Sequence, residues 1–251
     1  MKLDLGCGDH KHTGFFGIDR VGGTDVDLVC DFNYGIRLPE NSVEFIMASR
    51  SLPYASDLFS IMSDLYRVSI HKAIICILAP YAHHYRHMSN PYLKQKFDEY
   101  TPRYLTNHFL QPPDSPICPP VPSYTGYSVP FDFRLLRMEL FYEQPFVSPM
   151  YEPDELDMLK HLQPNVVSEI MYHFVVIKKD LPLVEWDWMS KQSYPEPLWV
   201  PSLRPARPSE EPLIEQDKVI IPAAVTKEQL TKPPRTPKTF HNRKKIPRKF
   251  L

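Results

Sequence analysis

Five short apolar runs mark the first eighty residues, and each stops at a polar or turn-forming residue. Lys2–Leu5 leads into Gly6, Phe15–Ile18 ends at Asp19, Val26–Cys30 at Asp31, Val43–Ala48 at Ser49, and Ala73–Leu78 runs toward Pro80. A continuous apolar run of strand length has no polar face, so both of its faces must be covered. Strands inside a parallel sheet meet that condition. Asp57–Val68 breaks the pattern: Leu58, Ile61, Met62, Leu65 and Val68 recur at helical spacing, with Ser56 as the expected N-cap. A helix between two such strands makes a βαβ unit, and that implies a parallel sheet.

Two longer strand-like segments follow, Arg134–Tyr142 and Glu169–Lys178, with helical spacing over Pro153–Leu162 between them. Long strands late in an α/β domain often form an antiparallel edge pair. The expected fold is therefore α/β: a doubly wound, mostly parallel sheet with an antiparallel edge pair, its ligand at the carboxyl ends of the strands. One domain is expected over residues 1–180. Residues 181–251 hold 12 of the 28 prolines, 13 Lys/Arg and 8 Asp/Glu. Such a segment buries too little apolar surface to offset its ordering entropy, so a Pro-rich, basic, largely disordered tail is expected there. Trp186, Trp188 and Trp199 mark where the chain could still return to the domain, to about Pro201.

The whole chain balances 29 Lys+Arg against 30 Asp+Glu, which gives no ground for wholesale phosphate-backbone binding. No apolar run approaches the ~18 residues that span a bilayer. The first residues, Met1-Lys2-Leu3-Asp4-Leu5-Gly6, lack the basic-then-apolar stretch of a secretory signal. Cys7, Cys30, Cys76 and Cys118 are too sparse for a disulfide scaffold and are not spaced as a zinc site. The expectation is a cytoplasmic protein with no metal and no membrane span; its oligomeric state is not legible.

Six of the eight glycines lie within the first 23 residues, so the backbone there turns tightly or approaches something closely. The polar residues at the strand ends, Gly6-Cys7-Gly8-Asp9, Asp19, Asp31 and Ser49, would line one crevice. Asp19 could accept from vicinal ribose hydroxyls, and Asp31 from an adenine amine with Phe32 over the ring. A dinucleotide fingerprint needs a third glycine where Lys11 stands, and no P-loop is present. An adenosine cofactor without a pyrophosphate fits best, S-adenosylmethionine being the common one. The alternative reading makes Asp19 and Asp31 loop caps.

Leu3-Asp4-Leu5-Gly6-Cys7-Gly8 resembles motif I of class I S-adenosylmethionine-dependent methyltransferases. The resemblance, to the bacterial "methyltransferase type 11"-like group, continues through Gly17-Ile18-Asp19, Val29-Cys30-Asp31 and the segment from Leu38 to Ser49. It extends to Leu65-Tyr66-Arg67-Val68 and covers residues 1–80 well, the remainder by order of elements. It implies Asp4, Gly6 and Gly8 around the methionine end of the cofactor, with Cys7 inside the same cofactor-binding loop as a small packing residue, and Asp19 on the ribose. It also implies Asp31 and Phe32 at the adenine, and Ser49 near the transferred methyl. Arg50-Ser51-Leu52-Pro53-Tyr54 departs from the Leu-Glu-His-like sequence of relatives, and Ser69-Ile70-His71-Lys72 from their Lys-Pro-Gly-Gly turn.

His83 and His84 follow the fifth strand and are the expected general bases, since an imidazole with pKa near ~6.5 can take an acceptor's proton. A solvated polar loop or a metal pair would explain the same residues. The aromatic and charged stretch Pro91–Tyr104 could cover an acceptor pocket. The expected acceptor is a small molecule or carbohydrate. A nucleic-acid acceptor gripped by the basic residues Lys232–Leu251 is the less favoured partner, and a non-catalytic cofactor-binding protein a further alternative.

Overall fold

The computed structural model describes residues 1–122, 128–147 and 150–205. Seven strands form one sheet: β1 (Lys2–Leu5), β2 (Phe16–Asp19), β3 (Leu28–Val29), β4 (Val43–Ser49), β5 (Ser69–Pro80), β6 (Phe133–Tyr142) and β7 (Val167–Val176). Their order is β3-β2-β1-β4-β5-β7-β6. The first five run parallel, while β7 pairs antiparallel with both β5 and β6. This is the doubly wound, mostly parallel sheet with an antiparallel edge pair that the apolar runs imply.

Alternation along the strands divides the core. Ile46, Ala48, Ile75, Ile77, Ile170, Tyr172 and Phe174 point to one face; Phe45, Met47, Ile74, Cys76, Leu78, Met171 and Val175 point to the other. Helix α1 (Leu58–Val68) covers the first face with Ile61, Met62, Leu65 and Val68. Its N-cap is Asp57, not the expected Ser56: the Asp57 carboxylate accepts from the backbone N–H groups of Phe59 and Ser60. Adjacent Ser and Asp are both competent caps, so composition alone could not choose. Two further helices are α2 (Tyr85–Met88) and α3 (Pro153–Leu162). Lys160 of α3 is buried and meets Glu99 Oε1 at 2.6 Å, while Glu99 Oε2 accepts from the Tyr81 hydroxyl at 2.6 Å. That triad ties α3 to the segment following β5.

The second face is covered by residues that the sequence assigned to the tail. Helix α4 (Leu183–Ser190) inserts Trp186 and Met189, and α5 (Val200–Leu203) inserts Val200, against Met47, Cys76 and Met171. Each such side chain contributes about 1.5–3 kcal/mol by leaving water. Charge fixes the segment further: Arg204 forms paired bonds to both Glu139 and Glu196, and Lys72 meets Glu185. Ordered structure thus runs past Asp180 to Pro205. The rest of the expected tail, including its basic residues from Lys232, lies outside the described residues.

The connections β1–β2 (residues 6–15) and β2–β3 (residues 20–27) contain no helix. Parallel neighbours are usually joined by a helical crossover. Here bare loops do it. No helix among the described residues is long and apolar enough to cross a membrane.

Candidate functional site

Four parallel strand tips surround a cavity of about 250 Å³, close to the lower end of the ~300–1,000 Å³ typical of ligand clefts. The tip of β1 supplies Gly6, and β2 supplies Asp19 with Arg20 and Val21. Asp31, Phe32 and Asn33 follow β3; Arg50, Ser51 and Tyr54 follow β4. A crevice bounded by carboxyl ends is where open α/β sheets hold their ligands.

Gly6 has to be glycine on two counts. Its φ is +71°, and a Cβ there would stand 2.4 Å from Cβ of Ser51. The bend therefore passes directly beside the β4 tip. Behind it, Asp4 is buried, and its Oδ2 accepts from both the backbone N (2.8 Å) and the ring Nδ1 (2.7 Å) of His12. Asp4 thus anchors the 6–15 loop and does not reach the cavity.

The Asp19 carboxylate is held by backbone: Oδ2 accepts from Gly8 N at 3.0 Å and Oδ1 from Val21 N at 2.9 Å. Asp31 caps a short 3₁₀ turn (Phe32–Tyr34); its Oδ1 accepts from both the N and Nδ2 of Asn33 at 2.9 Å. Asn33 in turn accepts from Ser56 N, joining this turn to the entrance of α1. Both acids therefore do act as loop caps, and both also line the cavity. The two roles coexist, because each carboxylate oxygen offers two acceptor positions.

Of the residues expected at the cofactor, Gly6, Asp19, Asp31 and Phe32 come together on the cavity; Asp4, Cys7, Gly8 and Ser49 are not among its lining residues. Cys7 is packed beneath the loop, and burial, reinforced by Asp4 and Asp19, pushes its thiol up to about 11. Neither His83 nor His84 lines the cavity. His83 is exposed, edge-on to Tyr81. His84 is fully buried as the N-cap of α2, its Nδ1 accepting from Arg86 N and its Nε2 lying 3.2 Å from Glu143 Oε2. Burial lowers its pKa, partly opposed by Glu143. The chain turns sharply after β5, so proximity in sequence to a strand tip did not bring these side chains over the crevice.

The segment Arg50–Tyr54, where the resemblance fails, supplies the β4 wall. Arg50 has φ +59° and donates to Glu169 of β7 through Nε (2.7 Å) and Nη2 (3.0 Å). Ser51 Oγ is buried with no hydrogen-bond partner among the described residues, a group that a ligand could satisfy. Among the described residues no group of three His, Cys, Asp or Glu is placed to hold a metal ion.

No family model matches the sequence, and no curated protein matches it. Solved structures with a similar fold include a SAM dependent methyltransferase from Archaeoglobus fulgidus: 17% identity over 69% of this chain and 85% of that one, TM-score 0.46. Another is a SAM dependent methyltransferase from Aquifex aeolicus, at 14% identity over 70% and 81%, TM-score 0.39. A third is phosphoethanolamine N-methyltransferase 2 of Haemonchus contortus in complex with S-adenosyl-L-methionine, at 12% identity over 70% and 48%, TM-score 0.41.

Proposed function

We propose that this protein is a class I S-adenosylmethionine-dependent methyltransferase acting on an oxygen or nitrogen of a small-molecule or carbohydrate acceptor. One observation carries the reading: Asp19 and the Asp31–Phe32 pair stand at neighbouring strand tips and line one cavity together with the Gly6 bend. The residues fit the cofactor. Each Asp19 oxygen has one backbone donor and a further acceptor position, the arrangement that two vicinal hydroxyls require. Asp31 accepts its internal bonds on Oδ1, leaving Oδ2 for an exocyclic amine, and Phe32 supplies an apolar face for the base.

When bound, the cofactor supplies a methyl group on a sulfonium already activated for in-line displacement. The chain's own part is to hold and align: Asp19 the ribose, Asp31 and Phe32 the adenine, and Gly6 with Ser51 the chain between ribose and β4. Alignment alone can contribute several kcal/mol to such a reaction, about 7–11 at best. With both candidate histidines away from the cavity, the acceptor's proton would leave to solvent past the exposed Tyr54. Four free, buried cysteines suit a reducing compartment, so the cytoplasm belongs to the same proposal.

Calorimetric titration of S-adenosylhomocysteine tests the reading. Saturable heat is expected with wild type, and an affinity loss of about tenfold or more with Asp19→Ala, the effect of losing hydrogen bonds to a charged group. No heat with wild type would end the methyltransferase reading. Turnover on a panel of acceptors then separates an enzyme from a protein that only holds the cofactor.

A further inference from the structure

We infer that Arg50 is the carboxylate-binding residue of the cofactor site and reads the amino-acid end of S-adenosylmethionine. The inference rests on the methyltransferase reading above and deepens it. Strand order supplies the geometry. A nucleoside held by Asp19 and Asp31 lies across β2 and β3; β1 comes next, then β4. Adjacent strands are about 4.8 Å apart, so β4 stands about 10 Å from β2. A chain leaving the 5′ position of the ribose and crossing Gly6 ends beside Arg50, on the far wall of the same cavity.

Arg50 is equipped to receive an anion there. Its guanidinium carries five N–H donors. Glu169 takes one from Nε and one from Nη2, which leaves Nη1 and the second Nη2 proton. The side chain is about two-fifths exposed, whereas that of Glu169 is nearly buried. Trp199 stands against the guanidinium, 5.7 Å from its centre, and His10 meets the same indole edge-on. The planar group is thus gripped by carboxylate and aromatic ring alike, and presents its free edge with little freedom left to lose. Backbone geometry agrees. A non-glycine residue at φ +59° is uncommon and costs about 1–3 kcal/mol, and here it directs the side chain that lines the β4 wall.

The ion pair also answers an electrostatic objection. A bare guanidinium near the sulfonium would repel it. With Glu169 at 2.7 Å the pair is close to neutral overall, yet retains directional donors for a carboxylate.

Calorimetry with two ligands isolates the group: S-adenosylhomocysteine, and its decarboxylated analogue, which keeps the nucleoside, sulfur and amine. Wild type is expected to bind the first at least about tenfold more tightly, the range for a charge-assisted hydrogen-bonded pair. Arg50→Met should abolish that preference while leaving affinity for the decarboxylated analogue within about twofold. Because Arg50→Met strands the Glu169 carboxylate, Arg50→Met/Glu169→Gln is measured beside it and should show the same lost preference. Arg50→Lys should restore only part of it, since an ammonium lacks the fork. Equal affinity of wild type for the two ligands overturns the inference alone. So does an equal loss for both ligands in the double variant. Failure of wild type to bind either ligand overturns the cofactor reading and this inference together.

Discussion

The two halves of the sheet are built on different terms. On one side β1, β2 and β3 have 4, 4 and 2 residues and are joined by bare loops. On the other, β5, β6 and β7 have 12, 10 and 10 residues, and every residue of β7 is buried. The long strands carry the apolar core on both faces. The short strands add only Leu3, Leu5 and Ile18 to that core, but they end close together and present Gly6, Asp19 and Asp31 to one cavity. Stability and ligand contact thus reside in different halves, and elements with few buried contacts are the ones free to open around a ligand.

Paired substitutions can break that comparison. Phe174→Ala, on fully buried β7, should cost about 3–5 kcal/mol. Val29→Ala on β3, where the side chain is 58% exposed, should cost less than about 0.5 kcal/mol. Urea denaturation midpoints read both, and equal shifts would end the division of labour. A somewhat smaller loss, about 3 kcal/mol, is expected for Trp186→Ala, because this side chain closes the second face of the long-stranded half. An unchanged thermal midpoint in that variant would mean that α4 adds nothing to the folded body.

Acid should attack the same half. His173 on β7 is fully buried, its Nε2 3.3 Å from the carbonyl of Pro195, and burial lowers its pKa from 6.5 to about 4. A depressed folded-state pKa means that the unfolded chain takes up the proton first. The stabilisation is therefore complete above pH 6.5 and is lost as pH falls toward 4, by on the order of 2–3 kcal/mol. Subtracting the stability–pH curve of His173→Phe from that of wild type isolates this group from the carboxylates. Parallel curves would show that His173 does not titrate differently on folding.

The same contrast decides what could be read from residues alone. Strands buried on both faces leave uninterrupted apolar runs, and the stripe of α1 leaves a 3.6-residue period, so the sheet and that helix were legible. Gly6, Asp19, Asp31 and Phe32 were legible because they sit where those runs stop. Helix α4 was not: Trp186 and Met189 are buried while Leu183, Val184 and Trp188 are exposed, so no apolar stripe marks it against its proline-rich surroundings. Arg50 was legible only as a departure from a motif, since its partner Glu169 lies 119 residues away along the chain. The candidate histidines His83 and His84 are not among the residues that line the cavity. They adjoin a strand tip in sequence, but His84 is consumed in capping α2. Local pattern finds elements and their ends; which distant side chain closes over an end is a tertiary fact.

Two glycines give the sharpest test of the short-stranded half. Gly6 and Gly8 both have positive φ, +71° and +53°, so alanine at either should cost about 1 kcal/mol from backbone conformation. Beyond that they differ. A Cβ on Gly8 meets nothing within 4 Å, whereas one on Gly6 would stand 2.4 Å from Ser51 Cβ and must displace the cavity wall. Gly8→Ala should lower the thermal midpoint by a few degrees and leave S-adenosylhomocysteine affinity within about threefold, its N–H still donating to Asp19. Gly6→Ala should lose at least about tenfold in affinity, each tenfold being about 1.4 kcal/mol, and should lower the midpoint further than Gly8→Ala because Ser51 has to move. If the two variants bind alike, the bend at Gly6 is only a turn, and the contact between the β1 and β4 tips does not shape the site.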